Sequence, residues 1–206
     1  MEPDPQWGRT SDRGRKHEPH VGQLFRQLPQ TAAGLGLGRC LWESAARLAE
    51  LVEVASGVGG RQKYWSRYNP AYPDYNAAGG DCTNFVSQSL KAGGWKAVTG
   101  SSSDFHKWFS NSTAQLDSWL SVNELSWFAL SSKRVTSLAN VYQLDVGDVL
   151  QMDFDKDGSK DHSMIVTYRS SQGVPYLTYH SANTYRRSVA SIIASEPNAL
   201  YYAYRT

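Results

Sequence analysis

The sequence predicts an α+β chain with N-terminal helices packed on a small antiparallel sheet or barrel, and two stretches carry that prediction. The first is Gly79-Gly80-Asp81-Cys82-Thr83-Asn84-Phe85-Val86-Ser87-Gln88, where a turn becomes a helix. Paired glycines allow a tight entry, Asp81 or Thr83 can serve the exposed N–H groups as caps, and Phe85 and Val86 point into a core as the helix continues through Leu90. The second is Met164-Ile165-Val166-Thr167-Tyr168, an apolar and β-branched run that reads as a strand. The loop Ser170 to Pro175 follows, then a second strand from Tyr176 to His180, so the pair forms an antiparallel hairpin.

The remaining elements follow in order. Residues 1–60 form an N-terminal extension, Arg-, Gly-, Pro- and Gln-rich to about Gly38 and read there as disordered. Between Cys40 and about Ala55, Leu41, Ala45, Leu48, Leu51 and Val52 recur at helical spacing and predict an amphipathic helix. Residues 61–206 make up the domain proper. Pro70 and Pro73 exclude a regular helix over Asn69 to Asn76, which becomes an extended loop arriving beside Cys82. Ser121 and Glu124 have capping-box spacing and start a short helix. Tyr142 to Val149 reads as a turn into a strand. Trp95, Phe105, Trp108, Phe109, Trp119, Trp127 and Phe128 lie between the two halves, as core or as the lining of a substrate groove.

Composition narrows the function classes. The chain has 206 residues, 40% of them apolar, enough to bury one core. A net charge of +2 with no basic stripe gives no support for nucleic-acid binding. There is no run of eighteen apolar residues, which excludes a spanning helix. Met1-Glu2-Pro3-Asp4 shows no apolar export signal, so either the chain is cytoplasmic or its true beginning is not represented. Two cysteines, Cys40 and Cys82, make neither a disulfide framework nor a zinc site.

The chemistry concentrates at Cys82. At a helix N-terminus the unpaired N–H groups and the positive end of the macrodipole favour thiolate over thiol, which makes a nucleophile of the sulfur. Asp161-His162-Ser163, at the entrance of the first hairpin strand, supplies a base, His162. Folding the hairpin returns His180 to Asn183 toward it, so a third polar group is available to orient the imidazole. Strand alternation prevents His180 and Asn183 from both pointing at His162 unless the strand ends or bends between them, and the preference falls on Asn183. Tyr75, Asn76 and Asp81 are candidates for contacting substrate or a developing oxyanion, with the Cys82 backbone N–H as main donor. Asp153-Phe154-Asp155-Lys156-Asp157-Gly158-Ser159-Lys160-Asp161 places Asp153, Asp155, Asp157 and Asp161 at calcium-loop positions, but Met164 at the twelfth cannot supply the bidentate carboxylate. The favoured reading is an acidic turn between two strands, with no metal or organic cofactor required.

These blocks together resemble the putative amidase domain of bacterial proteins. They are the Gly-Gly-Asp-Cys-Thr-Asn-Phe-Val-Ser-Gln run, Gly147-Asp148-Val149-Leu150-Gln151, Asp161-His162-Ser163, Tyr176-Leu177-Thr178-Tyr179-His180-Ser181-Ala182-Asn183 and Arg186-Arg187-Ser188. The resemblance runs from about Tyr64 to the closing Tyr201-Tyr202-Ala203-Tyr204-Arg205. It implies a papain-like arrangement related to the NlpC/P60 and CHAP cysteine hydrolases, with Cys82 as nucleophile and His162 as general base. The third position is an asparagine in many papain-like enzymes and a second histidine in many NlpC/P60 relatives, matching Asn183 and His180. The helix that normally opens the family is represented only at its end, by Lys63 to Tyr68. The implied activity is hydrolysis of an amide bond in a peptide substrate, with peptidoglycan suggested by analogy and an exported or cell-wall setting to match. The alternatives are a non-catalytic binding module of the same fold and an acyl transferase delivering the acyl group to an amine.

Overall fold

A computed structural model describes residues 64–206. The helix expected at about 40–55 and the extension over residues 1–60 lie outside the described residues. Helices α1 (Cys82–Ala92), α2 (Asp117–Leu120) and α3 (Val122–Ser131) come first. Strands β1 (Thr136–Leu138), β2 (Val149–Asp153), β3 (His162–Arg169), β4 (Pro175–Tyr179) and β5 (Thr184–Ser188) follow, then α4 (Val189–Ser195) and β6 (Leu200–Arg205). The strands form one open six-stranded sheet in the order β1-β6-β2-β3-β4-β5, every pairing antiparallel. This α+β build agrees with the class read from the sequence, with an open sheet rather than a closed barrel.

Strand alternation divides the core in two. Val149 pairs with Ile165 and Leu150 with Met164, so odd and even positions of β2 and β3 look to opposite faces. On one face Val149, Ile165 and Tyr204 pack with Phe85, Val86 and Leu90 of α1 and with Leu125, Phe128 and Ala129 of α3. On the other, Leu150, Met152, Met164, Val166, Leu177 and Tyr179 lie under Val189 and Ile192 of α4. With both faces covered, β2 is buried along its whole length, which is why it reads as a nearly continuous apolar run.

Helix α1 is buried from Cys82 to Leu90, polar residues included, and those residues serve the aromatic core. Trp108, Trp119 and Phe128 are 0% exposed, with ring centroids 4.6 Å apart for the two tryptophans. A buried indole N–H requires an acceptor. Trp119 Nε1 donates to Asn84 Oδ1 at 2.8 Å and Trp108 Nε1 to Ser87 Oγ at 3.3 Å. These three aromatics are therefore core, while Trp127 is exposed. Helix α3 begins after Ser121 as its spacing predicts, but the Ser121 side chain makes no cap bond. The reciprocal box forms instead at the 3-10 turn Val141–Gln143, where Asn140 Oδ1 accepts from Tyr142 N and Gln143 Oε1 from Asn140 N. Burial of Leu125, Phe128 and Ala129 is sufficient to order α3 without it.

Candidate active site

The entry to α1 is as tight as its glycines imply. Gly79 and Gly80 have φ of +104° and +122°, and a Cβ on Gly80 would sit 3.0 Å from Ser181 Oγ. Ser181 comes from the β4–β5 turn, itself left-handed at Ser181 and Asn183, and its hydroxyl accepts from Asp81 N at 3.2 Å. Gly80→Ala is expected to destabilise the fold by about 1–3 kcal/mol. An unchanged urea midpoint would contradict this.

Asp81 occupies the N-cap position of α1 but its carboxylate does not cap the helix. Oδ1 accepts from Tyr75 N at 3.1 Å and from Asn84 Nδ2 at 2.8 Å. Oδ2 meets His180 Nδ1 at 2.6 Å, with the Asp81 and His180 side chains 1% and 2% exposed. His180 Nε2 contacts the Tyr64 carbonyl, and the ring lies between Phe85 and Tyr68, 4.2 and 4.4 Å from their centroids. Both ring nitrogens are thus engaged. Tyr75 is held through its backbone, while Asn76 is exposed with its N–H on Asp74 Oδ1.

Cys82 is 8% exposed. Its Sγ lies 3.8 Å from Thr83 Oγ1. Burial pushes the thiol up from its ordinary range, the Ser163 and Thr83 hydrogen bonds pull it down, and the Asp81 charge adds to the rise. The net direction is opposite to that expected from the helix N-terminus. Desolvation of the sulfur outweighs the donors aimed at it, so the resting group is a thiol.

His162 opens β3, opposite Met152. Its ring is edge-on to Tyr179 at 4.9 Å and stacked with Phe154 at 6.4 Å, on the sheet face of Met164 and Val166, whereas Ser163 and Ile165 look toward α1. Burial pushes this imidazole down to about 4, leaving it neutral. The starts of α1 and β3 nonetheless meet, Thr83 Oγ1 lying 3.1 Å from Ser163 Oγ.

Neither expected orienting group meets the His162 ring in the structure. β4 ends at Tyr179, and beyond it the two candidates diverge. His180 turns to Asp81, while Asn183 Oδ1 accepts from Tyr68 OH at 3.2 Å. The group facing His162 is Tyr179.

In the β2–β3 connection, carboxylate oxygens of Asp153, Asp155 and Asp161 lie within 4.8 Å of one another. Asp157 is outside that cluster, its Oδ1 accepting from Ser159 N. Met164, at the twelfth loop position, is core. Asp153 accepts from Lys156 N and Gly158 N, and Asp161 from Phe154 N, so backbone donors close the loop as in an acidic turn.

Several polar residues escaped sequence reasoning. Thr83 Oγ1 is 3.1 Å from Ser163 Oγ, and Gln151 Nε2 donates to Ser163 Oγ at 3.2 Å and to the Val122 carbonyl at 2.9 Å. Asn84 links Asp81 to the Pro73 carbonyl and Trp119. The available signal was a glutamine between Leu150 and Met152 in a strand, since buried polar side chains must find partners.

Among known proteins, the chain is 30% identical over 130 residues to the uncharacterized protein YhbB of Bacillus subtilis (strain 168), covering 60% of this chain and 40% of that protein. It is 28% identical over 165 residues to the uncharacterized protein YjcM of the same organism, covering 68% of this chain and 36% of that protein. The chain therefore spans about two fifths or less of the length of these relatives. No solved structure matches it. The family model for the putative amidase domain matches residues 57–204, a span that takes in the glycine-led start of α1 and the whole sheet, and the chain belongs to that family.

Proposed function

We propose that this domain is a papain-like cysteine hydrolase that cleaves an amide bond by acyl transfer through Cys82. The supporting observation is the meeting of the two chemistry-bearing segments: the start of α1 lies on the start of β3, with the Thr83 hydroxyl beside Cys82 bonded to Ser163 beside His162. Family membership supports the reaction class.

The neutral state of His162 defines the mechanism in this reading. A thiol pushed up and an imidazole held down make a thiol and a neutral base at rest, so proton transfer accompanies attack rather than preceding it. Attack requires the His162 ring, which lies against Tyr179 on the other sheet face, to leave that packing and reach the sulfur round the open end of β3. His162 takes the Cys82 proton, the sulfur bonds to the amide carbonyl carbon, and the developing oxyanion meets the Cys82 backbone N–H, which heads the helix without an intrahelical acceptor. The imidazolium then protonates the departing amine as the C–N bond breaks, and water deprotonated by the same ring releases the acid from the thioester. His180 shares the α1 face with Cys82, but both of its nitrogens are engaged, so it serves as a positioning residue through Asp81. Asn183 holds Tyr68 beside His180, and Tyr75 and Asn76, in the segment that Asp81 anchors, are the residues assigned to substrate contact.

Digestion of a muropeptide mixture tests this. Wild-type protein is expected to release amine and acid, Cys82→Ala is expected to lose all turnover, and His162→Ala at least about a hundredfold, the scale of general acid–base catalysis. Retained turnover in Cys82→Ala overturns the reading. Release of a new amide when a free amine is added identifies transfer in place of hydrolysis.

The burial of Cys82 favours one second reading, a binding module of this fold without turnover. It predicts capture of peptide by wild type and Cys82→Ala alike, with no product from either.

A further inference from the structure

The residues behind the sulfur form a continuous hydrogen-bonded row across three elements. From Cys82 Sγ the row runs to Thr83 Oγ1 at 3.8 Å, to Ser163 Oγ at 3.1 Å and to Gln151 Nε2 at 3.2 Å. Thr83, Ser163 and Gln151 are all buried. Gln151 and Ser163 are register partners on β2 and β3, on the sheet face that meets α1.

Its direction follows from what each end can do. The Val122 carbonyl only accepts, so the Gln151 amide nitrogen must face it, and the second N–H of that nitrogen points to Ser163 Oγ. At the other end a thiol can donate to Thr83, but a thiolate has no hydrogen and can only accept. Once the sulfur loses its proton, a single arrangement satisfies the row: Gln151 donates to Ser163, Ser163 to Thr83, and Thr83 to sulfur. We propose that Gln151, Ser163 and Thr83 are positioning residues that turn the Thr83 hydroxyl toward Cys82 Sγ as negative charge develops there. No proton travels along the row; the hydroxyls rotate, and the thiol proton leaves to the base. The charged group acting on the sulfur is Asp81, which carries His180 on its carboxylate; the His162 ring stands on the other sheet face, against Tyr179. With Asp81 opposing the charge, the Thr83 hydroxyl and the backbone N–H groups of Thr83 and Ser163 favour it.

The role rests on Cys82 being the nucleophile, and its test is independent of turnover. In a Cys40→Ser background, the rate of iodoacetamide labelling of Cys82 is followed against pH by peptide mass. Hydrogen bonds to a charged group are strong enough that Thr83→Val is expected to move the profile to higher pH and slow labelling below its midpoint by roughly tenfold to a hundredfold. Thr83→Ser, which restores the donor, is expected to restore the profile. Ser163→Ala and Gln151→Met are expected to shift it in the same direction by less. The proposal is overturned if the Thr83→Val profile coincides with the parent's, or if serine fails to rescue it. Should the valine variant not fold, an unshifted Ser163→Ala profile overturns it equally. A shifted labelling profile in a protein that hydrolyses nothing would sink the amidase reading and leave the row standing; Cys82-dependent hydrolysis with unshifted labelling profiles would do the reverse.

Discussion

Replacing Asp81 with leucine is expected to destabilise the fold by about 3–5 kcal/mol, the range for removing one member of a buried, hydrogen-bonded pair. Three donors lose their acceptor at once: His180 Nδ1, Tyr75 N and Asn84 Nδ2. None of the three is repositioned cheaply. His180 is wedged between Phe85 and Tyr68, and Asn84 is committed to Pro73 and Trp119. Urea denaturation checks the size of the loss, and a double-mutant cycle checks its origin. Asp81→Leu combined with His180→Leu should cost less than the two single changes summed, because the second removes a group the first has orphaned. Strict additivity would mean that the pair is not an interacting unit. The same pair fixes the segment from Tyr64 to Gly80 to the end of β4, so loss of stability should bring early proteolysis within that segment.

The second large effect is a dependence of stability on acid through His162. Its folded value of about 4 lies below the ordinary histidine value of about 6.5, so between these limits the unfolded chain binds a proton that the folded chain does not. Stability therefore rises with pH across that window; it is fully present above about 6.5, is lost as pH falls toward 4, and changes no further below. A pKa unit corresponds to about 1.4 kcal/mol, so the contribution is at most about 3 kcal/mol, reduced by solvent screening because the residue is only half-buried. The check is the difference between wild type and His162→Gln in denaturation series from pH 7 to pH 4, which cancels the titration of the carboxylates. Wild type should lose more stability than the variant over that range. Equal slopes would mean that the ring is not desolvated.

What was legible at α1 was local. Two glycines before Asp81 announced a tight entry, which the structure makes with positive φ at both. Phe85 and Val86 announced the buried side of the helix. The hairpin of β3 and β4 was equally legible, with its ends displaced by a residue or two, because β-branched runs and a polar loop are properties of short windows. The Ser121 box failed in its bonds and succeeded in its helix, since burial rather than capping orders α3.

Sequence alone determined the helices beginning at Cys82 and after Ser121, the strand after Gly147, the antiparallel hairpin of β3 and β4, and the residue chemistry they carry: a cysteine leading a helix and a histidine leading a strand. Tertiary structure alone decided who meets whom. A one-residue difference in strand position reverses the face to which a side chain points, and so it set His162 against Tyr179, Ser163 against Thr83, and His180 against Asp81. It also set the charge states, because desolvation of Cys82 and His162 depends on the layers stacked over them, and no window of sequence contains those layers.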